Sequence, residues 1–187
     1  MRELGEVVVP NGESGMWRVE DIEVSEADSM MSSLHGGLGY CPAGTYKRLV
    51  RGSCCVMSNT RMEQITNYEP VRRAQGRVLI NGLGLGMVLT AILKKPEVSF
   101  VRVVELSEDV IRLVAPSFTR EAAAGRLEII HGDALQYRPA RGERFDVVWH
   151  DIWDNICSDN LDDMKLLHRR YGRRCDWQGS WARGMWR

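Results

Sequence analysis

An apolar run that ends in three alternating glycines constrains this chain most: Val78-Leu79-Ile80-Asn81-Gly82-Leu83-Gly84-Leu85-Gly86, followed at once by an amphipathic stretch from Met87 to Lys95. This order predicts a buried strand handing over to a helix through a loop whose backbone comes close to a ligand. A Cβ in that loop would block both the tight turn and the approach. Apolar runs recur at 99–105, 127–131 and 145–150, which with 78–81 make four predicted strands. Between them, the spacing predicts helices over 86–95, 108–115 and 117–124. Pro96 closes the first helix, and Ser107 caps the second with Glu108 and Asp109 at its positive end. Near-continuously apolar strands alternating with helices give an α/β architecture, a parallel sheet with helices on both faces. Right-handed crossovers then place every loop that follows a strand along one edge, where ligands bind.

The flanks are less regular. Residues 1–75 are expected to form a small N-terminal β extension, and 76–187 the sheet domain with a Trp- and Arg-rich tail. Val7–Val9 predicts a short strand, His35–Gly39 a loop, and Tyr46–Met57 a hairpin turning at Arg51-Gly52-Ser53. Arg61–Ala74 has a helical pattern that Pro70 interrupts. Asn160–Cys175 predicts one helix with His168 as a boundary packing residue, and 177–186 has no strand periodicity. The sheet is therefore expected to be short on its C-terminal side. Trp177, Trp181 and Trp186 are available to cover its edge or to meet a second copy of the chain, as is the N-terminal extension.

Composition narrows the function. Lys and Arg (25) balance Asp and Glu (25), so no global charge points to nucleic acid or an anionic membrane. With no apolar run of about 18 residues and no N-terminal signal pattern, a soluble cytoplasmic protein is expected. The five cysteines form no C-x-x-C pair and the four histidines no H-x-H or H-E-x-x-H spacing, so neither a disulfide framework nor a metal site is expected. Adjacent Cys54 and Cys55 would face opposite sides of a strand, which makes at least one of them a small core residue.

Three acids end apolar runs: Glu105, Asp133 and Asp151. Glu105 follows the glycines by roughly 20 residues, the spacing at which a carboxylate takes a ribose diol in dinucleotide and S-adenosylmethionine sites. In G-x-G-x-x-G the third glycine comes one residue later than Gly86 does here, which disfavours a pyrophosphate. Asp133 is placed to accept from an adenine amino group, with Leu106 and Ala134 sandwiching the ring. The cofactor expected is S-adenosyl-L-methionine.

Residues 78–110, 125–133 and 145–151 resemble the cofactor-binding core of class I S-adenosylmethionine-dependent methyltransferases, most closely the spermidine-synthase-like branch. The resemblance implies a Rossmann-like fold and a methyltransferase acting on an unidentified acceptor. It implies that Gly82, Gly84 and Gly86 line the methionine part of the cofactor, that Glu105 holds the ribose, and that Asp133 and Ala134 hold the adenine. Asp151 matches the family's acid after the fourth strand, as general base or acceptor anchor. Asp151-Ile152-Trp153-Asp154 keeps the family's D-x-x-D spacing, with Asp154 or His150 as a secondary contact. Where aminopropyltransferases carry an aspartate in the glycine loop, this chain has Leu85, which counts against aminopropyl transfer. A second expectation, motivated by the short C-terminal side, is a cofactor-binding module without catalysis.

Overall fold

The computed structural model describes residues 4–186, apart from the side chains of His35, Leu38, Met185 and Trp186. The chain runs β1 (Gly12–Ser14), β2 (Trp17–Val24), α1 (Glu26–His35), β3 (Gly44–Arg51), β4 (Cys54–Ser58), α2 (Arg61–Thr66) and α3 (Tyr68–Arg73). There follow β5 (Gly76–Asn81), α4 (Met87–Leu93), β6 (Val98–Glu105), α5 (Glu108–Val114), α6 (Thr119–Ala123), β7 (Leu127–His131), β8 (Phe145–His150), α7 (Asn160–Tyr171) and β9 (Cys175–Ser180). Two sheets result: an antiparallel β1-β2-β3-β4 and a five-stranded β7-β6-β5-β8-β9 whose neighbours all pair in parallel.

The large sheet is buried on both faces, which is why its strands read as unbroken apolar runs. Val78 and Ile80 join the core beneath α4 and α5, while Leu79 joins Leu167 and Tyr171 of α7 on the opposite side. The chain winds outward from β5 through β6 to β7, then returns to the other flank of β5 as β8. Right-handed crossovers in opposite directions put α4 and α5 on one face and α7 on the other. This is a Rossmann-like α/β fold. The predicted cap is present, with Ser107 Oγ accepting from Val110 N–H at 3.3 Å.

Several expectations are corrected. The sheet has five strands rather than four, because 160–175 is not one helix: α7 stops at Tyr171, and Cys175–Ser180 pairs with β8 from Phe145 to His150. An edge strand bonded on one side tolerates Asp176, Gln178 and Gly179, so it lacks the alternation of a half-buried strand. Val7–Val9 forms no strand; Val9 instead enters the main core. Neither Cys54 nor Cys55 is core, since both are exposed at the start of edge strand β4, beside an irregular register at Leu49/Val50. The predicted hairpin forms around a turn at Gly52. The helical stretch after it breaks at Asn67, because Pro70 has no N–H to give to the Thr66 carbonyl; Pro70 falls instead in the first turn of α3.

Candidate functional site

Strand order reverses at β5, and ligands in open α/β sheets bind at the carboxyl edge of such a point. Here Gly82 leaves β5 with φ +99° and lies so close to the start of the β8 loop that a Cβ would stand 1.9 Å from the Asp151 carbonyl oxygen. A cleft of about 500 Å³ opens over this edge. The carboxyl ends of the sheet form one side, and Trp17, Leu49, Arg51, Val56 and Met57 of the N-terminal sheet form the other.

The structure brings most of the predicted residues to this cleft. Gly82, Gly84, Glu105, Leu106, Asp133, Ala134, Asp151 and Asp154 all line it. Gly86 does not: it caps α4 in the left-handed region, and a Cβ there would meet the Phe118 ring at 2.9 Å, so its role in the fold is close packing. Glu105 is held from two sides, Oε2 accepting from Leu83 N–H and Oε1 from Ser107 N–H, each at 2.8 Å. The backbone of Leu106 also donates to this carboxylate. Burial pushes its carboxyl above the ordinary value, and the backbone donors of Ser107 and Leu83 oppose the rise. Asp133 Oδ1 accepts from Leu135 N–H at 2.7 Å, which fixes the turn that carries Ala134. Leu106 is 69% exposed, a large apolar side chain left in the open beside an apolar slot.

Asp154 is not free. Its Oδ2 pairs with Arg51 Nη2 at 2.5 Å, bridging the two sides of the cleft mouth. His150 is completely buried on the α7 face, its ring 5.3 Å from that of Tyr171 and its Nδ1 accepting from Asn81 Nδ2 at 2.8 Å. Burial drives it down to about 3, so it is a neutral packing residue and lies away from the cleft. His168 is half-buried and bonds Ser180 Oγ at 2.9 Å.

Five lining residues were not placed at a site by the sequence reading. Met57 projects from β4 onto the glycine loop, where its thioether accepts from Leu85 N–H at 3.4 Å. Arg51 is the cationic partner of Asp154. Trp149 and Trp181 line the end near Asp151, their indole N–H groups bonded to Asn67 Oδ1 at 3.2 Å and Thr66 Oγ1 at 3.0 Å. Glu63 of α2 is only 6% exposed yet lines the cleft. Burial, reinforced by the charge of Asp151, pushes Glu63 up to about 8, and burial pushes Asp151 up to about 7. The available signal was a stripe of Glu63, Asn67 and Pro70 at helical spacing, with polar groups where an apolar stripe would ordinarily face the core. Among the described residues no group of His, Cys, Asp and Glu is arranged to hold a metal ion, and no helix is long and apolar enough to cross a membrane.

No protein-family model and no curated protein matches the sequence. Solved structures with a similar fold include the pyocyanin biosynthetic protein PhzM, 17% identical, with 61% of this chain and 34% of that chain covered and a TM-score of 0.47. A S-adenosylmethionine-dependent methyltransferase from Thiobacillus denitrificans in complex with S-adenosyl-L-homocysteine is 21% identical, covers 57% of this chain and 44% of that one, and has a TM-score of 0.41. The glycopeptide N-methyltransferase MtfA complexed with S-adenosylmethionine is 19% identical, with 59% and 44% covered and a TM-score of 0.44. The chain thus spans less than half the length of each. At these scores the likenesses carry no weight for the site, which rests on its own geometry.

Proposed function

We propose that the protein is a S-adenosylmethionine-dependent methyltransferase. The observation that carries this reading is Glu105: a carboxylate held by backbone amides at the end of β6, lining the same cleft as the glycine loop and Asp133. The residues fit an adenosyl amino acid. Glu105 lines the cleft with its carboxylate fixed by backbone donors, an acceptor for a ribose diol, and Asp133 lines it together with Leu106 and Ala134, apolar side chains suited to a flat base. Gly82 and Gly84 keep the loop backbone bare on the side where the amino-acid part would lie. When bound, S-adenosylmethionine supplies a methyl group already activated on a sulfonium. The protein contributes orientation, exclusion of water and a place for the acceptor's proton.

Asp151 takes that last role in this reading. A base with a value of about 7 is half-ionised near neutrality, close to the optimum for general-base work. Turnover should therefore rise with pH through about 7 as Asp151 loses its proton. Asp154, tied to Arg51, serves to close the cleft mouth. The spermidine-synthase-like features are the hairpin lead-in and the D-x-x-D spacing, with Leu85 opposing aminopropyl transfer.

Titration calorimetry with S-adenosylhomocysteine and with NAD tests the cofactor. The first should bind and the second should not; the reverse order removes the proposal. Asp151→Asn should leave S-adenosylhomocysteine affinity within about threefold and lower turnover by at least about a hundredfold, the usual contribution of a general base. Binding with no turnover across a broad acceptor panel favours a non-catalytic module instead.

A further inference from the structure

Trp149 lines two cavities: the cleft, and a second one of about 470 Å³ enclosed by the α2–α3 region, α7, β9 and the segment that follows β9. The charged lining of the cleft is mostly acidic, and in the second cavity the balance is reversed. Its walls carry Arg183, whose hydrogen-bond partner among the described residues is the neutral His168. The one acid among the described lining residues is Glu69, which Arg72 and Arg73 hold at 3.0 Å each. Arg183 is thus a cation without a counter-charge among the described residues.

The polar groups beside it are linked in one direction only. Burial and the Arg183 charge hold His168 down to about 4, so its imidazole is neutral and carries a single proton. A guanidinium can only donate, and Arg183 Nη1 lies 2.5 Å from Nδ1, nearer than its 3.1 Å to Nε2. Nδ1 is therefore the accepting nitrogen, and Nε2 gives its proton to Ser180 Oγ at 2.9 Å. The Ser180 hydroxyl hydrogen is left over. It has no acceptor among the described residues, although Ser180 is only 6% exposed and lines the cavity. A buried donor without an acceptor is costly.

We propose that this cavity is a second ligand site, taking an organic oxyanion whose oxygens accept from Arg183 and from the Ser180 hydroxyl. The planar fork of a guanidinium matches two oxygens of a carboxylate or a phosphate, and the hydroxyl supplies a further donor. An oxyanion alone fills little of 470 Å³, and much of the remaining wall is apolar, with Trp149, Trp177 and Ala182. A few placed polar groups in a mostly apolar pocket suit a charged head on an apolar body. The site goes beyond the methyltransferase reading and does not depend on it. Its occupant lies against the back of the cleft wall: Trp149 belongs to both cavities, and Thr66 lines this one while its hydroxyl holds the indole of Trp181 in the other.

Titration calorimetry with benzoate, phenyl phosphate and neutral benzyl alcohol is the test. At least one of the two anions should bind at least about tenfold tighter than benzyl alcohol, and the tighter of them identifies the head group as carboxylate or phosphate. Arg183→Gln should weaken that anion by at least about tenfold, and Ser180→Ala by about threefold or more, as expected for a lost charge-assisted contact and a lost hydrogen bond. Arg51→Gln, which removes the cation of the cleft, should leave it within about threefold. Neither anion binding tighter than benzyl alcohol overturns the proposal using the wild-type protein alone. So does undiminished affinity in a folded Arg183→Gln or Ser180→Ala protein. A tenfold loss in Arg51→Gln also overturns it, because the anion would then sit in the cleft. S-adenosylhomocysteine titrated into the wild type separately tests the methyltransferase reading, so the two can fail independently.

Discussion

Gly82→Ala is expected to be the most damaging single substitution in the chain, lowering stability by on the order of 4 kcal/mol. Two effects add. A side chain at φ +99° is strained wherever it stands, and the new Cβ would lie 1.9 Å from the Asp151 carbonyl oxygen, which is backbone and cannot rotate away. Relief requires β5 and β8 to separate at the point where Asp151 N–H bonds the Asn81 carbonyl at 2.8 Å. A loss of that size is a large share of the roughly 5–15 kcal/mol that holds a domain together. Gly142→Ala is the control: φ is +81° there, but no atom lies within 4 Å of the new Cβ, so only the strain remains. Urea titration of the two variants gives the comparison. Equal midpoints would mean that the strands do not meet as closely as described.

Glu105→Ala is expected to weaken S-adenosylhomocysteine binding by about 1–3 kcal/mol, roughly 5- to 150-fold, with the fold retained. In the proposed site this carboxylate accepts from the ribose diol, and its loss also frees the Leu83 and Ser107 amides that it now holds. A pH dependence should accompany this. Burial raises the Glu105 value, and a protonated carboxyl can no longer accept from both hydroxyls. Wild-type affinity should therefore fall on acidification at a higher pH than an ordinary glutamate would give, and the Ala variant should lack that limb. Calorimetry across the acid range measures both. Affinity unchanged by the substitution would remove Glu105 from the site.

Where one face or both faces of an element are dry, the sequence was readable. β7 and β8 lie where the apolar runs place them, and β5 and β6 only begin earlier, at Gly76 and Val98. β2 was invisible because its buried side changes: Trp17 and Val19 point inward, while Asp21 and Glu23, in phase with them, are exposed. Its pairing is supported instead by charges across strands, as with Lys47 and Asp21 at 2.7 Å. β9 was missed because an edge strand needs only half its residues to be apolar. The same division holds for the site. Glu105, Asp133 and Asp151 could be placed along one edge, where the cleft lies, because each sits at the end of a strand whose direction the apolar pattern fixes. Met57, Arg51 and Glu63 belong to the preceding sheet and helix, and only the tertiary meeting of the two sheets brings them to the cleft.

That meeting has a consequence for how the chain can be divided. Thr66 and Asn67 of the α2 region grip the indoles of Trp181 and Trp149, one beyond the last strand and one within β8. The part of the polypeptide that precedes the large sheet is thus a wall of the cleft rather than a detachable ornament. A fragment starting at the glycine-rich strand would keep the floor, yet lose the far side and the moorings of both tryptophans.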